Sequence, residues 1–180
     1  MESRIKGINY FAYFLIVFGA ILRFLPHEAN FAPISAIALF GGVYLNRKLA
    51  IVLPLAAMIV SDIFIGFDSF QSRTTVYGSF ILIGFIGMWL KNHKTFVNVA
   101  TSTVAGSLLF YLITNFAYFY PAGMYTHDLA GVVQSYINAL PFLRGTLLGD
   151  IFYVSMMFGV YEFVRNWKEQ PKTAVSESRN

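Results

Sequence analysis

Between residues 22 and 42 the chain reads LRFLPHEANFAPISAIALFGG, in which a cation, an imidazole, a carboxylate and an amide (Arg23, His27, Glu28, Asn30) interrupt two oily stretches. Those groups offer ion pairing, hydrogen bonding and proton transfer within one short segment. Similar residues recur later: Asp62 and Asp68, Gln71 and Arg73, Asn115 with Tyr118 and Tyr120, then Tyr125, His127, Asp128, Gln134, Asn138, Arg144 and Asp150. Cysteine is absent, which excludes disulfides, thiolate metal sites and cysteine nucleophiles together. No nucleophile has an identifiable base at helical spacing, which argues against catalysis. His27-Glu28 and His127-Asp128 have donor types suited to zinc or nickel. They lack tight His-x-x-x-His spacing, so no metal and no cofactor is predicted.

The elements that position these groups are oily. Hydrophobic residues make up 57% of the 180 and charged residues 12%, with a mean hydropathy of +0.60. That balance lies outside the soluble range and predicts an integral membrane protein. About 20 apolar residues cross a bilayer, and apolar runs fall at about 8-25, 33-46, 49-67, 75-90, 97-119 and 144-164. The expectation is an all-α membrane protein of six transmembrane helices in one domain over 1-169. Continuous rather than alternating runs disfavour a β-barrel. The first run lacks a small-x-small cleavage site and reads as a retained span. Pro141 and Gly145 suggest a break, with a short outer helix at about 129-139 ahead of the last span. Residues 170-180 read as a polar, disordered tail.

Basic residues orient the chain. With the N-terminus inside, Arg4, Lys6, Arg47, Lys48, Lys91, Lys94, Arg165, Lys168, Lys172 and Arg179 lie inside, and only Arg23, Arg73 and Arg144 outside. This positive-inside pattern puts both termini in the cytoplasm. The formal charge of +4 is thereby explained without nucleic acid. Trp89 and Trp167 fall at the inner interface, as an aromatic belt requires.

In this orientation nearly every polar group lies at the outer side, and the inner half is almost purely apolar. Ionisable groups in a membrane are costly and seldom kept without a partner or a task. Asp62 and Asp150 therefore either pair with Arg23 or Arg144 to tie helices together, or line a pocket open to the outside. An outer pocket above a sealed inner half suits capture of a solute, whereas a channel needs polar residues along its whole length. Rim aromatics, among them Phe31 and Tyr118, suit a flat organic ligand. LPLAAMIVSDIF at 53-64 and LPFLRGTLLGDIF at 140-152 form a faint internal echo.

LRFLPHEANFAPISAIALFGG, LPLAAMIVSDIFIGF, VYGSF, GSLLFYLITNF and YINALPFLRGTLLGD, in that order, resemble a group of uncharacterised bacterial transport proteins. That group is similar to the S components, the substrate-binding membrane subunits of energy-coupling factor (ECF) vitamin transporters. The resemblance covers about residues 20-160. It implies an S-component-like bundle, a site near the outer face, and a lid at 26-33 bounded by Pro26 and Pro33, with His27, Glu28, Asn30 and Phe31 as contacts. It also implies toppling of the subunit to release substrate inward, driven by an ECF transmembrane subunit and two ATPases. No Walker sequence occurs in this chain. The first helix offers only Ala12, Gly19 and Ala20 where S components carry an Ala-x-x-x-Ala docking surface, while Ala32-x-x-x-Ala36 opens the second.

The expected function is capture and uptake of a small, vitamin-like organic solute by a lipid-embedded protein without catalytic residues. Arg23, His27, Glu28, Asn30, Phe31, Asp62, Asn115, Tyr118, Asn138 and Arg144 are the expected binding residues. Two alternatives stand beside it: a membrane enzyme acting on a lipid-linked substrate through His27-Glu28 or His127-Asp128, and a scaffold subunit whose polar groups serve helix association.

Overall fold

A computed structural model describes residues 2–24, 30–66 and 69–169. Among them the protein is all-helical: α1 (Glu2–Leu22), α2 (Ile34–Tyr44), α3 (Arg47–Ile65), α4 (Phe70–Leu90), α5 (Phe96–Thr114), a 3-10 turn (Ala117–Phe119) and α6 (Leu129–Glu169). Side-chain caps decide where four of these begin. Asn46 accepts from the Leu49 N–H at 2.9 Å, Ser69 from Ser72 at 3.1 Å, Thr95 from Asn98 at 3.1 Å and Asp128 from Gly131 at 2.8 Å. Each satisfies a donor that the first turn leaves orphaned. The Ser69 cap starts α4 at Phe70, five residues before the expected 75, and so brings a polar first turn into the helix.

α2 lies at the centre. Residues Ile34 to Val43 are all buried, and each of the other five helices packs on it. Its closest neighbour is α4, because glycines remove the side chains between the two backbones. A Cβ on Gly42 would stand 2.6 Å from the Gly84 carbonyl oxygen, and one on Gly87 would stand 2.4 Å from that of Leu39. Small residues allow this approach, which gathers dispersion contacts where no hydrophobic drive between helices exists. Phe40 continues the core toward α6, with ring contacts to Phe158 and Tyr161 at 5.4 Å each.

α4, α5 and α6 are long and apolar enough to cross a membrane, whereas α2 is a shorter apolar helix of 11 residues. Phe14, Phe64, Phe85, Leu112, Ile151, Phe163 and Trp167 are among many large apolar side chains left exposed. Water would not tolerate so continuous an apolar surface, and lipid requires one.

The expected break at Pro141 does not occur. α6 runs unbroken for 41 residues with Pro141 inside it, about 60 Å at 1.5 Å per residue, so the separate helix at 129-139 is part of α6. Packing on α5 holds both flanks of the proline. On one side the Tyr111 hydroxyl donates to the Tyr136 carbonyl at 2.7 Å; on the other Ser107 donates to Asp150 at 2.6 Å. The echoed segments fall in α3 and α6, each with a proline inside the helix, yet their aspartates have different partners. The tail at 170–180 lies outside the described residues.

Candidate functional site

Two polar assemblies form where α1, α3 and α5 end. The first closes on itself. Arg23, just past α1, pairs through Nη2 with Asp62 Oδ1 on α3 at 2.7 Å. Its Nη1 donates to the Met58 carbonyl at 3.2 Å and to Ser61 Oγ. The other Asp62 oxygen accepts from the Tyr77 hydroxyl on α4 at 2.5 Å. Both carboxylate oxygens are thus engaged, and three helices are tied together in a largely buried cluster. The pairing of Asp62 with Arg23, one of the two arrangements expected for it, is present.

The second assembly is open. A cavity of about 460 Å³ is lined by Asn30, by Ser69, Gln71, Ser72, Thr75 and Val76 at the start of α4, by Phe110, Thr114 and Asn115 at the end of α5, by Phe119, Tyr120 and Pro121, and by Phe142 of α6. None of these side chains is charged. Asn30 holds a left-handed backbone, φ +61°, a conformation asparagine adopts more readily than other non-glycine residues. The Asn115 amide nitrogen donates to the Tyr111 carbonyl at 2.9 Å and to Thr114 Oγ1 at 3.2 Å; this fixes the amide and leaves its oxygen as an acceptor. Tyr120 donates to the Thr114 carbonyl at 2.8 Å, and burial raises its hydroxyl above the usual tyrosine range, with Tyr125 adding to the effect.

The remaining expected residues are placed elsewhere. Phe31 packs on Phe152 and Tyr153 at 5.8 and 5.4 Å and seats its segment on α6, where a Cβ on Gly149 would stand 3.0 Å from the Phe31 Cα. Tyr118 donates to the His127 carbonyl at 2.8 Å and stacks on its ring at 4.8 Å. His127 Nε2 faces the Tyr120 carbonyl at 2.9 Å, and a carbonyl only accepts, so that nitrogen carries the proton. Asn138 and Arg144 are exposed on α6, outside the cavity wall. Among the described residues Asn138 reaches the Tyr125 hydroxyl at 3.5 Å, and Arg144 has no ion pair. His27, Glu28 and Asp68 lie outside the described residues.

Asp128 caps α6, and the Gly131 N–H, followed by the Thr126 hydroxyl, holds its carboxyl below the usual aspartate range. His127 and Asp128 are therefore each engaged in local backbone bonding rather than set as an acid and base pair. Among the described residues no cluster of three or more His, Cys, Asp or Glu side chains could hold a metal.

Three groups escape the sequence reading. Tyr77 lies about two turns inside α4, and nothing in its sequence neighbourhood points to an acidic partner. Gln71, Ser72 and Thr75 form a polar stripe on one face, legible only once α4 is known to start at Phe70. The far end of the bundle is not purely apolar: Glu162 joins Lys94, Arg165 and the Tyr44 hydroxyl, with Lys91 donating to the Leu45 carbonyl at 3.2 Å.

Residues 4–173 match one family model, described as Family of unknown function (DUF6580). The chain belongs to that family. No curated protein and no solved structure matches it.

Proposed function

We propose that the protein is a membrane-embedded binding and uptake subunit that captures a small, uncharged, hydrogen-bonding solute of vitamin size. The observation that carries this reading is the make-up of the cavity: amides and hydroxyls from four elements surround a volume of about 460 Å³ with aromatic rings between them. Pockets of that size and mix suit small organic ligands. Uncharged solutes are favoured because Arg23 and Asp62 already neutralise each other, so neither meets a ligand's charge. In this reading the chain crosses a bacterial inner membrane six times and both termini are cytoplasmic. The basic end at Arg47, Lys48, Lys91, Lys94 and Arg165 supports that orientation, and the cavity then opens outward. The resemblance to S components supports inward release with an energising subunit and two ATPases.

Thermal unfolding of the protein in lipid nanodiscs, with a panel of neutral and charged vitamin-sized solutes, tests the reading. A neutral solute raises the Tm of the wild type and of Arg144→Ala and Asn138→Ala. Asn115→Leu and Thr75→Val keep the unliganded Tm but lose most of the rise. Stabilisation that survives both cavity substitutions, or that only charged solutes give, contradicts it.

A further inference from the structure

Three carboxylates are wholly or partly buried in the described helices, and two have cations. Asp62 has Arg23, and Glu162 has Lys94 and Arg165. Asp150 is the exception: it is 2% exposed, and among the described residues it meets hydroxyls and no cation, accepting from Ser107 on α5 at 2.6 Å with the Ser35 hydroxyl of the first turn of α2 beside it.

Among the described residues no cation on an element packed against α6 reaches Asp150. On α5 the Tyr111 hydroxyl donates to the Tyr136 carbonyl. Tyr44 of α2 and Lys94 ahead of α5 are held by Glu162 at the basic end. Arg23 beyond α1 is held by Asp62, Tyr10 and Tyr13 lie near the middle of α1, and Tyr118 in the 3-10 turn is held by the His127 carbonyl. On α6 itself Arg144 is exposed, and Tyr153 follows one turn on. An ionised carboxylate without a cation is strongly disfavoured in an apolar interior, and the group takes up a proton instead.

The position of Asp150 supplies a way for that proton to leave. Gly149 carries the segment 30–33 on its bare Cα: a Cβ there would stand 3.0 Å from the Phe31 Cα and 3.3 Å from the Ala32 nitrogen. The same segment supplies Asn30 to the cavity and leads into α2, whose Ser35 hydroxyl lies beside Asp150. We propose that Asp150, with Ser107 and Ser35, is a proton-binding site, occupied while segment 30–33 is seated on Gly149 and emptied when that segment lifts. On lifting, water reaches the carboxyl, the O–H bond breaks, the proton passes to water and the carboxylate remains. Such a group gives a solute-capturing protein a step driven by protons, and it exists whether or not the cavity binds a solute.

Infrared difference spectroscopy of the full chain in nanodiscs, with the proton itself as the probe, tests this. At neutral pH the wild type shows the carbonyl stretch of a protonated carboxyl, which disappears in Asp150→Asn and persists in Asp62→Asn. Ser107→Ala keeps the carboxyl but removes its partner, so the band moves to higher frequency; this second variant serves if Asp150→Asn fails to fold. Gly149→Ala, which displaces Phe31, makes the band titrate away at lower pH than in the wild type. Absence of the band at neutral pH, its survival in Asp150→Asn, or a Gly149→Ala titration identical to wild type overturns the proposal.

Discussion

Arg23, Asp62 and Tyr77 tie α1, α3 and α4 together through an ion pair and a hydroxyl–carboxylate bond. Removing one member of a buried pair leaves the other charge stranded, so Asp62→Ala is expected to lower unfolding stability by roughly 3 kcal/mol, the low end for buried pairs because Arg23 keeps some exposure. The double variant Arg23→Met, Asp62→Leu recovers most of that loss in the same chemical unfolding measurement, since an apolar pair needs no compensation. Asp128 adds a pH dependence. Its folded carboxyl titrates below the usual aspartate range, so its contribution is complete above that range and is lost as pH falls through the lowered value. In Asp128→Asn the cap remains and this part of the acid sensitivity of Tm disappears. Residue types alone show that Arg23 and Asp62 carry opposite charge and lie near the same end of the chain's spans. That they satisfy each other, while uncharged Asn30 and Asn115 face open space, depends on the angular positions of α1, α3 and α4, which residue types do not encode.

At the scale of elements the glycines of α2 and α4 decide the packing. Gly87→Ala puts a Cβ 2.4 Å from the Leu39 carbonyl oxygen, whereas a Cβ on Gly78 of the same helix has nothing within 4 Å. Gly87→Ala is expected to lower Tm strongly and Gly78→Ala to leave it unchanged or raise stability by up to about 1 kcal/mol through helix propensity; equal effects at the two sites contradict this crossing. The helices themselves are legible in the chain because apolar runs of span length are hard to mistake. Their limits are less so. The α4 start depends on one serine cap, and the continuity of α6 through Pro141 depends on tertiary contacts with α5 that no local rule anticipates. The central place of α2 is foreshadowed only by its lack of any polar side chain larger than serine between Ile34 and Val43.

For the whole molecule, composition carries the strongest inference: a chain this apolar, with most of its cations toward one end, belongs in lipid. The grouping of polar residues at the other end is also legible. What cannot be read from it is the division of that end into a closed ionic cluster and an open neutral cavity, since that follows from which faces of five helices meet. Native mass spectrometry of the protein released from gentle detergent shows whether the cavity holds a solute. One small uncharged organic molecule per chain is expected, lost in Asn115→Leu and retained in Arg144→Ala. Phospholipid alone on the wild type, or a bound molecule indifferent to Asn115→Leu, contradicts this expectation.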